Sequence, residues 1–187
     1  MRKIALVLFF SIMCFIFLGN MLYKTNDTGA IMFDIERVIN VDTSVSSTSF
    51  DINHINMAPH SIQVYYYTKY YCAVYNVPET VAFNVARLET GYKNPLDFKY
   101  RPNLTSYANA YGTYQLILST AKFMYEGKKS DITPQVLLTD VKLNVRLGIK
   151  YLRYLHDIYN NWTIVCGAYN TGRPIINSYA ISATKYI

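Results

Sequence analysis

The sequence predicts one mainly α-helical domain, preceded by an export or anchoring segment and a flexible linker. Three observations carry that prediction. Apolar residues recur at helical three- and four-residue steps from Ser61 onward. Gly, Asn and Pro fall where those runs stop. No series of alternating apolar and polar residues reads as a strand. The 187 residues suffice for one domain with a core and are few for two, so a single active site is expected.

At the start, Arg2 and Lys3 precede an apolar run from Ile4 to Leu18 that only Ser11 interrupts. This is the pattern of an export signal. The run is shorter than the ~20 residues a membrane-spanning helix needs, although Met21 and Leu22 extend it past Gly19 and Asn20. Residues 1–23 are therefore read as a signal peptide or a retained membrane anchor, both open. Residues 24–60 are rich in Ser, Thr, Asn and Asp, with one short amphipathic patch from Ile31 to Val41, and read as a flexible linker. Export places the protein in the periplasm or cell envelope, either free or anchored in the inner membrane. A disulfide between Cys72 and Cys166 would persist there; two separate buried thiols are the alternative.

The domain proper is expected over residues 61–187. Its first helix, Ile62–Tyr75, carries Tyr65, Tyr66, Tyr67, Tyr70, Tyr71 and Tyr75, too densely for one narrow stripe, so some rings face solvent or ligand. Asn76 followed by Glu79 resembles a capping box and Pro78 suits a first turn, so a second helix starts there. It runs to Glu89, and Gly91 is its stop. A third helix is expected over Tyr114–Tyr125. A fourth covers Asp140–Tyr159, where Val141, Val145, Gly148, Leu152, Leu155 and Tyr159 form the clearest amphipathic repeat. Gly148 costs a helix about 1 kcal/mol relative to Ala, which predicts a close approach by a neighbouring element. A fifth helix, Trp162–Tyr169, stops at Asn170-Thr171-Gly172.

One carboxylate sits on the wrong face. The apolar stripe of the second helix is Val81, Ala82, Val85, Ala86 and Leu88, and the next position on that face is Glu89. Burial penalises the anion, and the carbonyl dipoles of a last helical turn add to the penalty. Both effects raise the pKa. A carboxylic acid that keeps its proton near neutral pH is what cleavage of a glycosidic bond requires. A Glu that reaches water, or pairs with Arg87 or a distant Lys, is the structural alternative.

Three short patterns follow in order: Glu89-Thr90-Gly91, then Gly112-Thr113-Tyr114-Gln115 running into Leu116-Ile117-Leu118-Ser119-Thr120-Ala121, then Ala168-Tyr169-Asn170-Thr171-Gly172. Between the last two stand Asn144, Gly148, Tyr151 and Leu152. Together they resemble the soluble lytic transglycosylase (SLT) domain, related in fold to goose-type lysozyme, over about Tyr66 to Pro174. Each pattern alone is weak; four in the right order are specific. The resemblance implies a lysozyme-like helical domain acting on peptidoglycan glycan strands at the β-1,4 bond between N-acetylmuramic acid and N-acetylglucosamine. It implies Glu89 as the catalytic acid, with substrate contacts from Ser106, Tyr114, Gln115, Ile117, Tyr169 and Asn170. Thr90 stands where the family has Ser, Tyr114 where it has Met, and Asn109 where it has Gly. The segment from Lys93 to Thr105 is longer than the family's spacing.

The reaction this resemblance implies uses one carboxylate and forms a 1,6-anhydro sugar without water. Two alternatives stay open: a lysozyme-like hydrolase that recruits Asp97, Glu126 or Asp131 to activate water, and a non-catalytic wall-binding module of a secretion or conjugation apparatus. Small exported members of the family serve secretion, conjugation or pilus machines, which the resemblance extends to this chain as an expectation. No cofactor is expected. His54, His60 and His156 are scattered along the chain, which argues against a metal site, and no constellation supports Cys or Ser nucleophilic chemistry. The net charge of +6 suits an anionic partner. Without Arg2 and Lys3, however, 16 basic residues face 12 acidic ones, spread along the chain, which argues against nucleic acid.

Overall fold

The computed structural model describes residues 55–187. The export segment and nearly all of the linker lie outside the described residues. Within them no helix is long and apolar enough to cross a membrane. Ile55 is already packed in the core, and the first helix, α1, spans His60–Tyr75. It turns Val64, Tyr67, Tyr71 and Cys72 inward and leaves Tyr66 more than a third exposed, so the tyrosines divide between core and surface as their density requires.

Asn76 ends α1 in the left-handed conformation, at φ 52° and ψ 53°. This corrects the capping-box reading. Asn tolerates that region better than other residues bearing a side chain, so it stops one helix instead of starting the next. The following helix, α2, spans Glu79–Thr90 from an N-cap at Pro78 that offers no side-chain bond, and Gly91 closes it in the left-handed region. Val81, Ala82, Val85 and Ala86 are fully buried, as the stripe predicts. Leu88 is not part of it, being 38% exposed.

The helix expected from Tyr114 begins later, as α3 over Leu118–Met124. Its expected first turn belongs to an antiparallel hairpin of β1 (Ala110–Tyr111) and β2 (Leu116–Ile117), with Ala110 opposite Ile117 and Tyr111 opposite Leu116. Gln115 lies at φ 44°, which breaks any right-handed helix there. Strands of two residues leave no alternating pattern for a sequence reading to catch.

A single 3-10 turn at Lys129–Asp131 leads to α4, Pro134–Thr139, whose Thr133 cap accepts from the Val136 amide. Helix α5, Val141–Tyr159, begins with Asp140 accepting from the Leu143 amide and stops at left-handed Asn160. Helix α6, Trp162–Thr171, is capped by Asn161 and closed by Gly172. A last short helix, α7, spans Ser178–Ala183 with Asn177 as its cap.

Helix α5 is the hub, packing against α1, α3, α4 and α6, while α7 bridges α6 and α2. On α5, Val145, Leu147, Ile149 and Leu152 are fully buried on more than one side of the helix. Each such side chain contributes about 1.5–3 kcal/mol. Cys72 and Cys166 are buried as separate thiols, and burial pushes the Cys166 thiol up to about 12, so both are inert apolar filling and the disulfide is not formed.

Candidate active site

Glu89 occupies the last turn of α2, where the buried stripe meets the surface, and its side chain is half-buried. The Tyr179 hydroxyl, on α7, donates to Glu89 Oε1 at 2.5 Å. The other oxygen, Oε2, has no hydrogen-bond partner among the described residues, and none of their buried side-chain polar atoms lacks one. Burial holds the carboxyl above the usual carboxylate range, and the hydrogen bond from Tyr179 works against that rise. No second carboxylate among the described residues contributes to the field there.

Two devices bring Tyr179 to the acid. After α6 the chain folds back so closely that the Ile175 carbonyl lies where a side chain on Gly167 would have to be. Asn177 then accepts from the Ala180 amide at 2.8 Å and starts α7. Tyr169, on α6, completes the group: Glu89 and Tyr169 both add to the burial that raises the Tyr179 phenol, and Glu89 does the same to Tyr169. The Tyr169 hydroxyl donates to the Tyr114 carbonyl at 2.6 Å.

The hairpin is locked against the acid from two sides. Thr90 Oγ1, next to Glu89, donates to the Thr113 carbonyl at 3.1 Å and lies 2.8 Å from the Tyr100 hydroxyl. From α5, buried Asn144 accepts from the Tyr114 amide at 2.9 Å and donates to the Tyr111 carbonyl at 2.8 Å. One turn on, a Cβ on Gly148 would lie 2.5 Å from the Tyr114 side chain. The close approach expected at Gly148 is thus a tyrosine ring. These contacts give physical meaning to the Asn-Gly spacing on α5 and to Thr90.

The remaining residues expected to touch substrate divide. Tyr114 is fully buried, its ring between α1, α2 and α5 and its hydroxyl donating to the Ala82 carbonyl at 3.2 Å. This corrects its assignment: it is a core residue that supports the hairpin. Gln115 spends its amide on the Leu104 and Gly112 carbonyls at 3.0 and 2.9 Å, so it shapes the loop. Ser106 accepts from the Ala110 amide at 3.2 Å, in the turn that precedes β1. Ile117 is 47% exposed on the hairpin edge. Asn170 is exposed and accepts from the Asn177 amide at 3.1 Å.

Of the carboxylates considered as partners of Glu89, Glu126 pairs with Lys150 and Arg146. Partial burial opposes its ionisation, but the Lys150 hydrogen bond and the two cations prevail and hold it below the usual range. Asp131 is exposed on the 3-10 turn and Asp97 lies in the loop before Tyr100. No cluster of three or more His, Cys, Asp or Glu among the described residues could hold a metal. The sequence reading missed Tyr179, for a simple reason. With 19 tyrosines in the chain, one more in a short terminal helix carries no signal.

Comparison with known proteins bears on the same segments. A Haemophilus influenzae protein inferred to be a soluble lytic murein transglycosylase is 29% identical over 148 residues, covering 77% of this chain and 23% of its own. The 70 kDa soluble lytic transglycosylase of Escherichia coli superposes with a TM-score of 0.49 at 21% identity, over 70% of this chain and 24% of that one. The chain thus spans about a quarter of the length of these relatives. The profile of the Transglycosylase SLT domain matches residues 67–185, from the middle of α1 to the segment beyond α7. That stretch contains Glu89, the hairpin, the Asn144 lock and Tyr179, and on it the chain belongs to the transglycosylase SLT domain family.

Proposed function

We propose that this protein is a peptidoglycan lytic transglycosylase, acting in the cell envelope, with Glu89 as its acid and then its base. The observation that carries the reading is a half-buried carboxyl with a raised pKa, one oxygen held by Tyr179 and the other without a hydrogen-bond partner among the described residues, none of whose other carboxylates contributes to the shift. A hydrolase of either stereochemistry ordinarily needs two carboxyl groups, about 5–5.5 Å or 6.5–9.5 Å apart. A single one suffices when the substrate supplies the second nucleophile.

Protonated Glu89 gives its proton to the glycosidic oxygen between N-acetylmuramic acid and N-acetylglucosamine as the C1–O bond breaks. The muramoyl N-acetyl group stabilises the cationic C1. The Glu89 carboxylate then takes the proton of the C6 hydroxyl as that oxygen bonds to C1, which closes a 1,6-anhydro ring and restores the acid. Tyr179 fixes the carboxyl and supports its ionised form between the two steps. The Haemophilus influenzae relative is named for this activity, and membership of the SLT domain family supports the reading.

The test is digestion of purified sacculi followed by mass spectrometry of the released ends. Anhydro-muramoyl ends are expected. Reducing ends would replace this mechanism with water attack, and sacculus binding without release would indicate a wall-binding module. Glu89→Gln should cut release by at least about a hundredfold, the usual contribution of a general acid, while the circular dichroism spectrum stays unchanged.

A further inference from the structure

Helix α7 is too short to set its own position. Its six residues fall well below the length at which a helix holds itself in water, so the place of Tyr179 depends on what α7 touches. It packs on α6 and on α2. At its start, Asn177 donates to Asn170 near the end of α6 at 3.1 Å. At its other end no left-handed glycine closes the helix; Thr184 caps it at φ −102°, and the last carbonyls need partners from elsewhere.

Asn84 supplies two of them. Its side-chain amide donates to the Ala183 carbonyl at 3.0 Å and to the Lys185 carbonyl at 3.3 Å, which uses both of its N–H groups on this one end. Asn is among the weaker helix formers, yet it stands half-buried in the middle of α2, one residue before fully buried Val85. The contacts it makes there lie 99 and 101 residues away in sequence.

Asn84 and Glu89 stand on one helix, and their partners Ala183 and Tyr179 stand on another. Along their axes the pairs are separated by about 7.5 and 6 Å, so both contacts can form at once with the helices passing in opposite senses. Helix α2 thus carries the acid and also grips the far end of the helix whose phenol bonds that acid at 2.5 Å. Sliding of α7 along α2 would break this bond, and the grip on Ala183 and Lys185 opposes it. The titratable groups that face Glu89 are Tyr179 from α7 and Tyr169 from α6, and no charged group among the described residues acts on it.

We infer that Asn84 is a positioning residue for the acid, holding α7 in register so that Tyr179 stays within bonding distance of Glu89, and that it touches no substrate itself. The inference rests on the reading of Glu89 as the cleaving acid, but the coupling can be measured without turnover.

The experiment uses the full chain with Asn84→Ala, which removes the donors and favours the helix, and Asn84→Leu, which removes them and keeps the volume. Asn84→Gln keeps the donors. The first readout is the titration of the Glu89 carboxyl by carbon-13 NMR. Asn84→Ala and Asn84→Leu should move it to higher pH, in the direction of Tyr179→Phe, and Asn84→Gln should move it less. When Tyr179→Phe is already present, neither should move it further. An unmoved titration, or a shift of equal size with and without the phenol, would overturn the inference. On sacculi, kcat should fall roughly two- to tenfold, the scale of one hydrogen bond, with KM unchanged and the alkaline limb of the pH–rate profile displaced upward. Loss of activity with that limb in place would make Asn84 a structural contact only. Failure of Glu89 itself reads out separately, as undiminished turnover by Glu89→Gln.

Discussion

Glu89 and the tyrosine that holds it stand 90 residues apart in sequence, and the properties of each follow from the meeting. Because folding keeps the Glu89 carboxyl above its ordinary range, the native protein binds more protons at this site than the unfolded chain does between the two pKa values. The resulting contribution to stability is full below the ordinary carboxylate range and fades as pH rises through the raised pKa. Glu89→Gln removes the fade. Thermal melts should show the variant more stable than the parent at neutral pH, with the gap closing on acidification. Tyr179→Phe acts on the same group in the other direction, since the bond it removes favours the anion. The alkaline limb of the pH–rate profile should move to higher pH, and kcat should drop on the order of tenfold as a charge-assisted hydrogen bond is lost. An unchanged profile would show that the phenol is only a neighbour.

Among the elements, the hairpin has the least intrinsic stability and the most borrowed support. Two residues per strand cannot hold a fold; Asn144, Thr90 and Tyr114 hold it instead. Gly148→Ala tests that support. The new methyl would lie 2.5 Å from the Tyr114 side chain, and overpacking of that kind costs about 1–3 kcal/mol, against about 1 kcal/mol gained in helix propensity. Chemical denaturation should show a net loss, and cleavage should fall with it, because the backbone carbonyl of the displaced Tyr114 is the one that Tyr169 grips. Helix α5 was legible in advance, since a long helix repeats the pattern of its buried residues five times over. The hairpin was not. Its strands are shorter than any period, and the left-handed turn at Gln115 is made by a residue with no preference for that region.

Over the whole domain, the sequence reading recovered the parts whose information is local. Val81, Ala82, Val85 and Ala86 of the α2 stripe, the stop at Gly91 and the position of Glu89 at the border of core and surface all follow from spacing along one helix, while Leu88 does not keep to it. Tyr179 and the burial of Tyr114 depend on which helices meet, and no spacing encodes that. Charge among the described residues does not set the acid's state, because burial is the leading cause of its shift and none of their cations contributes. The most direct measurement is therefore a titration of the Glu89 side-chain carboxyl by carbon-13 NMR, with Glu89→Gln used to assign the resonance. An apparent pKa above the ordinary carboxylate range, raised further by Tyr179→Phe, is the predicted result. A value at or below that range would mean that the carboxyl has lost its proton before a glycosidic oxygen needs it, and would contradict the account.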